Sequence, residues 1–316
     1  MSESEDLMFD DNLPANHRSG YVALVGKPNV GKSTLLNAWL GFKLAPVSPK
    51  PQTTRARLLG ILTQPDAQII FVDTPGIHLP RTKLGEYMVH AAKEAIPDAD
   101  VLVFMVDASE PPTRADEEIA RLIHAQGHGA VILALNKIDV APGEQYPTIR
   151  AAYEALGPFE QMVEISALNG DGCAALLDLV LARLPLGPRY YPADQVSDLQ
   201  ERYIAEELIR EQLLLLLEQE VPHALAVVVE DFQEKPDNRL RISATIYAEK
   251  ESHKGIIIGK GGAMLKRVGS QARVALEAFF ERPVHVELWV KVRPHWRQDP
   301  NALREFGYGL AEKEDE

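Results

Sequence analysis

The chain has 316 residues, of which 46% are hydrophobic and 25% are charged, so we expect a soluble globular protein of about two domains. Its net charge of −13 argues against a protein that binds nucleic acid through its overall charge. The one cysteine, Cys173, excludes an intramolecular disulfide and a cysteine-cluster metal site, and we expect it to pack as a small apolar side chain. The acidic first residues do not resemble a secretory signal, and no apolar run reaches membrane-spanning length.

A phosphate-binding loop is predicted where the first apolar run meets the first helical segment. Residues 21–25 predict a strand, residues 34–39 predict a helix, and G-K-P-N-V-G-K-S stands between them. In such loops the glycines let backbone N–H groups surround phosphates, the lysine reaches the outer phosphates, and the serine hydroxyl holds Mg²⁺. This context makes a chance glycine-rich turn the weaker alternative. The predicted nucleotide contacts are Gly26, Asn29, Val30, Gly31, Lys32, Ser33 and Thr34.

A second strand end carries the sequence F-V-D-T-P-G at residues 71–76. Asp73 is predicted to reach Mg²⁺ through a water molecule, because a carboxylate oxygen is a ligand that this cation prefers. The N–H group of Gly76 is predicted to meet the γ-phosphate.

A guanine-reading motif is predicted at Asn136, Lys137 and Asp139, which follow the apolar run 130–135. Ligands of open α/β sheets bind at this end of the strands. A carboxylate such as Asp139 can accept both N–H donors of guanine, whereas adenine presents an acceptor there. GTP is therefore favoured over ATP, although N-K-x-D alone is also typical of a polar turn.

A fourth strand end places the small residues Ser166 and Ala167, followed by Leu168, where a guanine base can lie against backbone. The four motifs, in this order, resemble the G motifs of translation-factor-class GTPases. The resemblance implies that residues 51–55 form the first switch and that Thr54 binds Mg²⁺, with Thr53 as the close alternative. A solvated threonine-rich loop is the other interpretation.

The catalytic residues implied by this resemblance are Lys32, Thr54, Asp73, Gly76 and Asn29. Many GTPases carry a water-orienting glutamine after D-x-x-G, but here that position is Ile77, so we expect slow intrinsic turnover. Asn29 resembles the residue that helps to bind a monovalent cation in potassium-stimulated GTPases. Bound K⁺ would neutralise charge between the β- and γ-phosphates, whereas the alternative is that Asn29 only shapes the loop.

The domain boundaries are predicted from proline-rich and acidic segments. We expect an acidic tail at 1–16, a GTPase domain at 17–184, a linker at 185–198, a second domain at 199–310 and a tail at 311–316. In the second domain, Asp198 is predicted to cap a helix over 199–220 that is buried on every side at 213–217. Its further predicted elements are strands 224–230 and 240–248, helices 254–258 and 263–280, and strand 284–292.

The order of these elements resembles the type II KH fold, whose G-x-x-G loop clamps the backbone of a single RNA strand. Residues 251–310 carry ten Lys or Arg against six Asp or Glu, so a local basic face can bind one strand. A tight turn with solvated lysines is the alternative. Trp289 and Trp296 are predicted to pack, with a place beside the RNA as the alternative. The predicted RNA contacts are Lys254, Ile258, Gly259, Lys260, Gly261, Gly262, Lys266, Arg267 and Arg273.

From about residue 19 to about residue 308 the chain resembles the Era family of bacterial GTPases. The most specific pieces are GKPNVGKSTLLN, PQTTR, DTPGIH, NKID, SALNG and ESHKGIIIGKGGAMLKRVGSQAR. The implied fold is a P-loop GTPase domain of the α/β class, with a mostly parallel doubly wound sheet, followed by an α+β type II KH domain.

The same resemblance implies a cytoplasmic monomer that hydrolyses GTP to GDP with Mg²⁺, and with K⁺ as a further candidate. It implies binding of the 3′ end of 16S rRNA during 30S subunit maturation, and a peripheral pool at the inner membrane face. Two alternatives remain: a GTP-switched membrane or trafficking module with a protein-binding second domain, and an RNA chaperone that holds nucleotide structurally.

Overall fold

The computed structural model describes residues 13–126 and 130–308 of the chain. Residues 1–12 of the predicted N-terminal tail and all of the predicted C-terminal tail lie outside the described residues. The chain divides into two compact units, and neither is contiguous in sequence. The first comprises Met1–Phe42, Arg57–Ile77 and Ala92–Asp198, and the second comprises Lys43–Ala56, His78–Ala91 and Leu199–Glu316. Two segments within the predicted GTPase range 17–184 therefore fold with the C-terminal part.

The first unit is built on a sheet of strands in the order β2-β3-β1-β4-β5-β6. Strand β2 is antiparallel to β3, and the other pairs are parallel, as predicted for a doubly wound sheet. The strands are β1 (Arg18–Val25), β2 (Leu58–Gln64), β3 (Ala67–Asp73), β4 (Val101–Asp107), β5 (Val131–Asn136) and β6 (Gln161–Glu164). The helices are α1 (Lys32–Leu40), α2 (Lys83–Glu94), α3 (Arg114–Ala125), α4 (Tyr146–Glu154) and α5 (Cys173–Arg183), and most of α2 belongs to the second unit.

The central strands are almost continuously apolar, because helices cover both faces of a parallel sheet. Every residue of β5 is buried, as are all residues of β4 except Asp107. Since the carboxyl ends of parallel strands meet at one edge, the residues that follow β1, β3, β5 and β6 are brought together there. Cys173 is buried and free, as predicted.

The segment 185–198, predicted as a linker, lies along the edge strand β2. The amide of Ile61 donates to the Val196 carbonyl at 2.9 Å, and the Ser197 hydroxyl donates to the Leu59 carbonyl at 2.6 Å. A covered edge strand cannot pair with another chain. This pairing holds the segment extended, so the prediction that Asp198 caps the next helix is wrong, and Gln200 occupies the N-cap position.

The second unit contains a three-stranded sheet in the order β7-β8-β9, with β8 antiparallel to β7 and parallel to β9. The order of helices and strands confirms the type II KH prediction, and α8 and β9 match their predicted bounds. The elements are α6 (Glu201–Leu216), β7 (Leu225–Glu234), β8 (Leu240–Ala248), α7 (Glu251–Ile258), α8 (Ala263–Phe280), β9 (Val284–Val292) and α9 (Pro300–Glu305).

Four predictions for this unit are wrong in detail. Helix α6 ends at Leu216 rather than at residue 220, because the chain turns extended at Leu217 and enters a proline-containing 3₁₀ turn. Leu215 is 47% exposed, so this helix end is not buried on every side. Trp296 is fully buried as predicted, but Trp289 is 62% exposed. Strand β7 also runs four residues beyond its predicted end, because its pairing with β8 continues to Glu234.

Candidate nucleotide and RNA sites

The phosphate-binding loop joins the end of β1 to the start of α1. Two of its residues have left-handed backbone, Asn29 with φ 64° and Gly31 with φ 101°. A β-carbon on Gly31 would lie 2.2 Å from the Asn136 side-chain nitrogen, and one on Gly26 would lie 2.3 Å from the Met105 carbonyl oxygen. The loop therefore packs so closely on its surroundings that both positions require glycine.

The ammonium group of Lys32 is held inside this loop. Its side chain is buried and donates to the carbonyl oxygens of Gly26 at 3.2 Å and Lys27 at 2.8 Å. Burial lowers the pKa of Lys32 to about 8, although the charge of Asp73 opposes the change. Phosphate oxygens are stronger acceptors than carbonyls, so a nucleotide would replace these two bonds.

Two oxygen groups predicted to bind Mg²⁺ lie side by side in the first unit. The hydroxyl of Ser33, on the first turn of α1, donates at 2.7 Å to the carboxylate of Asp73, at the end of β3. Asp73 is fully buried. A hydroxyl and a carboxylate beside a phosphate loop are the donor set that Mg²⁺ prefers, so these residues fit the ion. Thr53 and Thr54 are buried in the second unit, and the role of Thr54 as a further ligand stays a prediction.

The D-T-P-G segment packs directly on the phosphate loop. Thr74 donates from its hydroxyl to the Leu24 carbonyl at 2.7 Å, and the amide of Ile77 donates to the Gly26 carbonyl at 3.1 Å. A β-carbon on Gly76 would lie 2.4 Å from the nitrogen of Pro28. The Ile77 side chain is buried in the hydrophobic core of this unit, so it has a packing role in place of water orientation.

The side chain of Asn136 connects two other loops. Its amide group donates to the Val30 carbonyl at 2.7 Å, and its oxygen accepts from the Ala167 amide at 2.9 Å. Asn136 thus fixes the phosphate loop and the S-A-L motif relative to each other. A further bond, from the Ile138 amide to the Ile165 carbonyl, joins the two base-reading segments.

The remaining base-site residues differ in exposure. Asp139 and Leu168 are exposed, whereas Ser166 and Ala167 are buried. The Ser166 hydroxyl accepts from the Asn169 amide at 3.2 Å, which shapes the turn after β6. An exposed carboxylate at Asp139 beside a buried backbone turn suits a flat base that enters from solvent.

Lys137 pairs with a carboxylate that the sequence analysis missed. Its ammonium donates to Asp107 at the end of β4. Burial alone would raise the pKa of Asp107, but hydrogen bonds from Lys137 and Ser109 outweigh it and lower the pKa. The strand-end position of Asp107, after a continuous apolar run, is the signal that could have revealed it.

Lys27 is a second missed residue. Its ammonium lies 2.8 Å from the carboxylate of Asp116 and 3.1 Å from that of Glu110. Asp116 is fully buried and also accepts from Thr113, in a capping box at the start of α3. The phosphate loop is thereby attached to α3, and the T-x-x-D pattern was the available signal.

The predicted RNA-binding loop joins α7 to α8 and exposes its backbone. Gly259, Gly261 and Gly262 have positive φ of 73°, 60° and 81°. A β-carbon on Gly261 or Gly262 would have no atom within 4 Å, whereas one on Gly259 would lie 2.8 Å from the Met264 side chain. The loop is therefore open at its tip, where a phosphate chain can approach.

A groove of about 440 Å³ runs between α8 and β9. Of the predicted RNA contacts it is lined by Gly262, Lys266 and Arg273, and His285 is a further lining residue that the sequence analysis missed. Lys260, Lys266 and Arg267 are exposed, and Lys254 and Ile258 are partly exposed. The structure thus brings some of the predicted contacts together, while Lys254, Ile258, Gly259, Lys260, Gly261 and Arg267 do not line the groove.

Family models match both units. Residues 21–137 match the model described as 50S ribosome-binding GTPase, and residues 220–297 match the KH domain model. The chain is 47% identical to GTPase Era of Caldicellulosiruptor saccharolyticus, covering 93% of this chain and 99% of the relative. It is also 47% identical to GTPase Era of Geotalea uraniireducens, over 92% and 98%. The chain belongs to the Era family of GTPases.

Two solved Era structures are similar over their whole length. Era in complex with MgGDPNP and nucleotides 1506–1542 of 16S ribosomal RNA has a TM-score of 0.89 and 43% identity, with 93% of this chain and all of that one covered. A variant of Aquifex aeolicus Era bound to GDP·AlF4⁻ has a TM-score of 0.88 at the same identity and coverage. GTP or GDP and Mg²⁺ are thus the ligands of this GTPase family.

Proposed function

We propose that this Era-family GTPase binds the 3′ end of 16S rRNA and acts in assembly of the 30S ribosomal subunit in the cytoplasm. The observation that carries the proposal is the exposed G-x-x-G backbone at the end of a groove lined by Lys266 and Arg273. The related Era that holds 16S rRNA nucleotides supports the choice of RNA. Backbone clamping by such a loop is the way in which KH domains bind a single strand.

The nucleotide is bound by groups of the first unit. Lys32 donates to the outer phosphates, Ser33 and Asp73 hold Mg²⁺, and Asp139 accepts from guanine. Bound Mg²⁺ neutralises negative charge that develops on the phosphate oxygens. Thr54 is proposed as a further ligand of the ion, and the Gly76 amide as a donor to the γ-phosphate.

The attacking water has no glutamine to orient it, because Ile77 packs in the core. We propose that a K⁺ ion held with the help of Asn29 supplies charge instead. GTPase rate should then be several-fold higher in K⁺ than in Na⁺ at equal ionic strength, and Asn29→Ala should remove the difference. Equal rates of the unaltered protein in the two salts would refute the cation site.

The RNA assignment is tested by the double variant Gly261→Asp with Gly262→Asp. Two carboxylates at the open tip should repel the phosphate chain, so affinity for an oligonucleotide with the 16S 3′ sequence should fall by about tenfold or more. GTP affinity should not change. The matched control is Gly143→Asp with Gly187→Asp, which adds the same charge to the first unit at sites with no atom within 4 Å of a new β-carbon. Equal RNA affinity of the two double variants would refute the assignment.

The same measurement separates this function from the trafficking alternative, which requires no RNA affinity in the unaltered protein. No helix in residues 13–126 or 130–308 is long and apolar enough to cross a membrane. We also propose the peripheral pool at the inner membrane face that the family resemblance implies, and fractionation with a salt wash would test it.

Guanine selection is tested by Asp139→Asn. The amide replaces one acceptor by a donor, so GTP should bind more weakly and xanthosine triphosphate, with a 2-oxo acceptor, should bind better. Competition binding of the two nucleotides measures this. Unchanged GTP affinity would place Asp139 outside the base site.

A further inference from the structure

The segment Lys43–Ala56, which carries the two switch threonines, folds as part of the second unit. At the start of this segment, both carboxylate oxygens of Glu211 on α6 accept hydrogen bonds from it. One accepts from the Lys43 ammonium at 2.5 Å, and the other accepts from the Val47 amide at 2.7 Å. Glu211 is fully buried. The first part of the segment is therefore attached to α6 by a buried carboxylate.

The middle of the segment is attached to the end of the same helix. The Lys50 ammonium donates to the carbonyl oxygens of Leu214 and Leu217. The last carbonyls of a helix lack partners within the helix and carry partial negative charge, so a lysine there is favoured.

Arg210 holds the backbone immediately before Thr54. Its guanidinium is buried, donates to the Thr53 carbonyl and pairs with Glu207 on the preceding turn of α6. Burial alone would lower the pKa of Arg210, but the charge and hydrogen bonds of Glu207 outweigh it and raise the pKa. The arginine therefore stays charged and keeps its bond to the threonine backbone.

Arg55 holds the chain immediately after Thr54. Its side chain is fully buried and donates to the Leu225 carbonyl at 2.7 Å and the His223 carbonyl at 3.2 Å. The guanidinium carbon also lies 5.7 Å from the ring centre of Trp296 and 5.9 Å from that of Tyr308. Burial lowers the pKa of Arg55. The two carbonyls and two rings suit the planar guanidinium group of an arginine, which can donate several hydrogen bonds and stack on aromatic rings. A lysine ammonium cannot make this set of contacts.

We propose that Arg55 and Arg210 are positioning residues for GTP hydrolysis, which fix Thr54 from both sides so that it can serve Mg²⁺. The inference rests on the proposed role of Thr54. Small displacements of a group that must meet the reacting phosphates cost large factors in rate, so rigid anchoring is expected on both sides of it. Because α6 also packs against α8, the helix that lines the RNA groove, the scaffold of the switch is the RNA-binding unit itself.

The test compares Arg55→Lys with Arg202→Lys in the full-length protein. Arg202 is a matched control, because it lies in the same unit and also donates to two backbone carbonyls, those of Val229 and Glu230, but away from the switch segment. Arg55→Lys should lower kcat about tenfold and raise the Mg²⁺ concentration needed for half-maximal rate. GDP affinity should stay within about twofold of that of the unaltered protein. The reason is that GDP lacks the γ-phosphate, and Thr54 is proposed to bind the Mg²⁺ that accompanies this phosphate. Arg202→Lys should change none of these.

A purely structural role of Arg55 predicts a different result. Thermal unfolding would then shift in Arg55→Lys while kcat and the Mg²⁺ requirement stayed unchanged, and this outcome would overturn the proposal. If Arg55→Lys does not fold, Arg210→Lys is measured in the same way, with the same expected loss and the same contradicting outcome.

A double-variant cycle with Thr54→Ala tests the positioning role of Arg55 separately from the Mg²⁺ role of Thr54. If Arg55 acts through Thr54, Arg55→Lys should have almost no further effect on kcat in the Thr54→Ala background. Full activity of Thr54→Ala would refute the Mg²⁺ role on which the inference rests. If Thr54→Ala and Arg55→Lys each lower kcat and their effects add in the double variant, the positioning role of Arg55 is refuted, while the Mg²⁺ role of Thr54 is not.

Discussion

The two binding regions of this molecule are built in opposite ways. In the nucleotide site, Lys32, Asp73 and Asn136 are buried, and a β-carbon on Gly31 would collide with a neighbouring side chain. In the predicted RNA-binding loop, Lys260 and Gly261 are exposed, and new β-carbons at Gly261 and Gly262 would have no atom within 4 Å. The first site is formed by contacts with the core, whereas the second is an open surface that offers its backbone.

This difference follows from what each site must recognise. A nucleotide has a fixed set of phosphate oxygens, so preorganised buried donors bind it best. An RNA strand is long and its backbone is uniform, so an open loop with cations around it is sufficient. Substitutions should accordingly act through geometry in the first site and through charge in the second.

The largest effect is expected for Lys32→Ala. The buried ammonium makes charge-assisted hydrogen bonds worth about 1.5–3 kcal/mol each, so losing two phosphate contacts should weaken GTP binding by roughly 100-fold or more. RNA affinity serves as the internal control and should not change. Fluorescence titration with a labelled GTP analogue measures the GTP affinity. Near-normal GTP affinity of Lys32→Ala would show that Lys32 does not contact phosphate.

Salt should affect the RNA region strongly. If four backbone phosphates are clamped, RNA affinity should fall roughly 20- to 60-fold between about 50 and about 200 mM salt, because each contributes a log–log slope of about −0.7. Removing the Lys266 ammonium, as in Lys266→Ala, should make the slope shallower by about 0.7. A slope near zero would mean that phosphate contacts do not hold the RNA.

Glycine substitutions compare the two loops directly. Gly31→Ala should weaken GTP binding about tenfold or more, since its β-carbon would collide with Asn136 and its φ is left-handed. Gly261→Ala also has positive φ, but its β-carbon is free of contacts, so RNA affinity should fall less than about fivefold. Titration of each variant with both ligands decides this. Equal losses at the two glycines would contradict the contrast between a packed and an open loop.

The smallest predicted effect is a pH dependence of nucleotide binding. Lys32 has a pKa of about 8 without nucleotide, below the ordinary value of 10.5, so its charged form declines as pH rises through 8. GTP affinity should therefore be about fourfold lower at pH 8.5 than at pH 7, and binding at pH 8.5 should take up a proton. Calorimetry in two buffers of different ionisation enthalpy measures the uptake. Lys32→Arg stays charged and should show none, so equal uptake in that variant would assign the proton to another group.

Local sequence was sufficient to predict the loops that form both candidate sites. The spacing of glycines and the lysine in the phosphate loop, the apolar runs that end at Asp73 and Asn136, and the G-x-x-G between two helices each lie within a short window. Such windows determine helix and strand periodicity and turn chemistry, and α8 and β9 match their predicted bounds. They also sufficed for the family resemblance.

The tertiary structure decided what depends on residues distant in sequence. Asn136 connects loops that lie about 30 and more than 100 residues away. The segment Lys43–Ala56 joins a unit most of whose residues follow Leu199. Because the segment 185–198 pairs with the edge strand β2, α6 begins after Asp198. Trp289 and Trp296 are the same residue type, so the sequence could not show that only Trp296 is buried. Periodicity reports which residues are apolar along one element, whereas burial and anchoring depend on which other elements the completed fold brings against it.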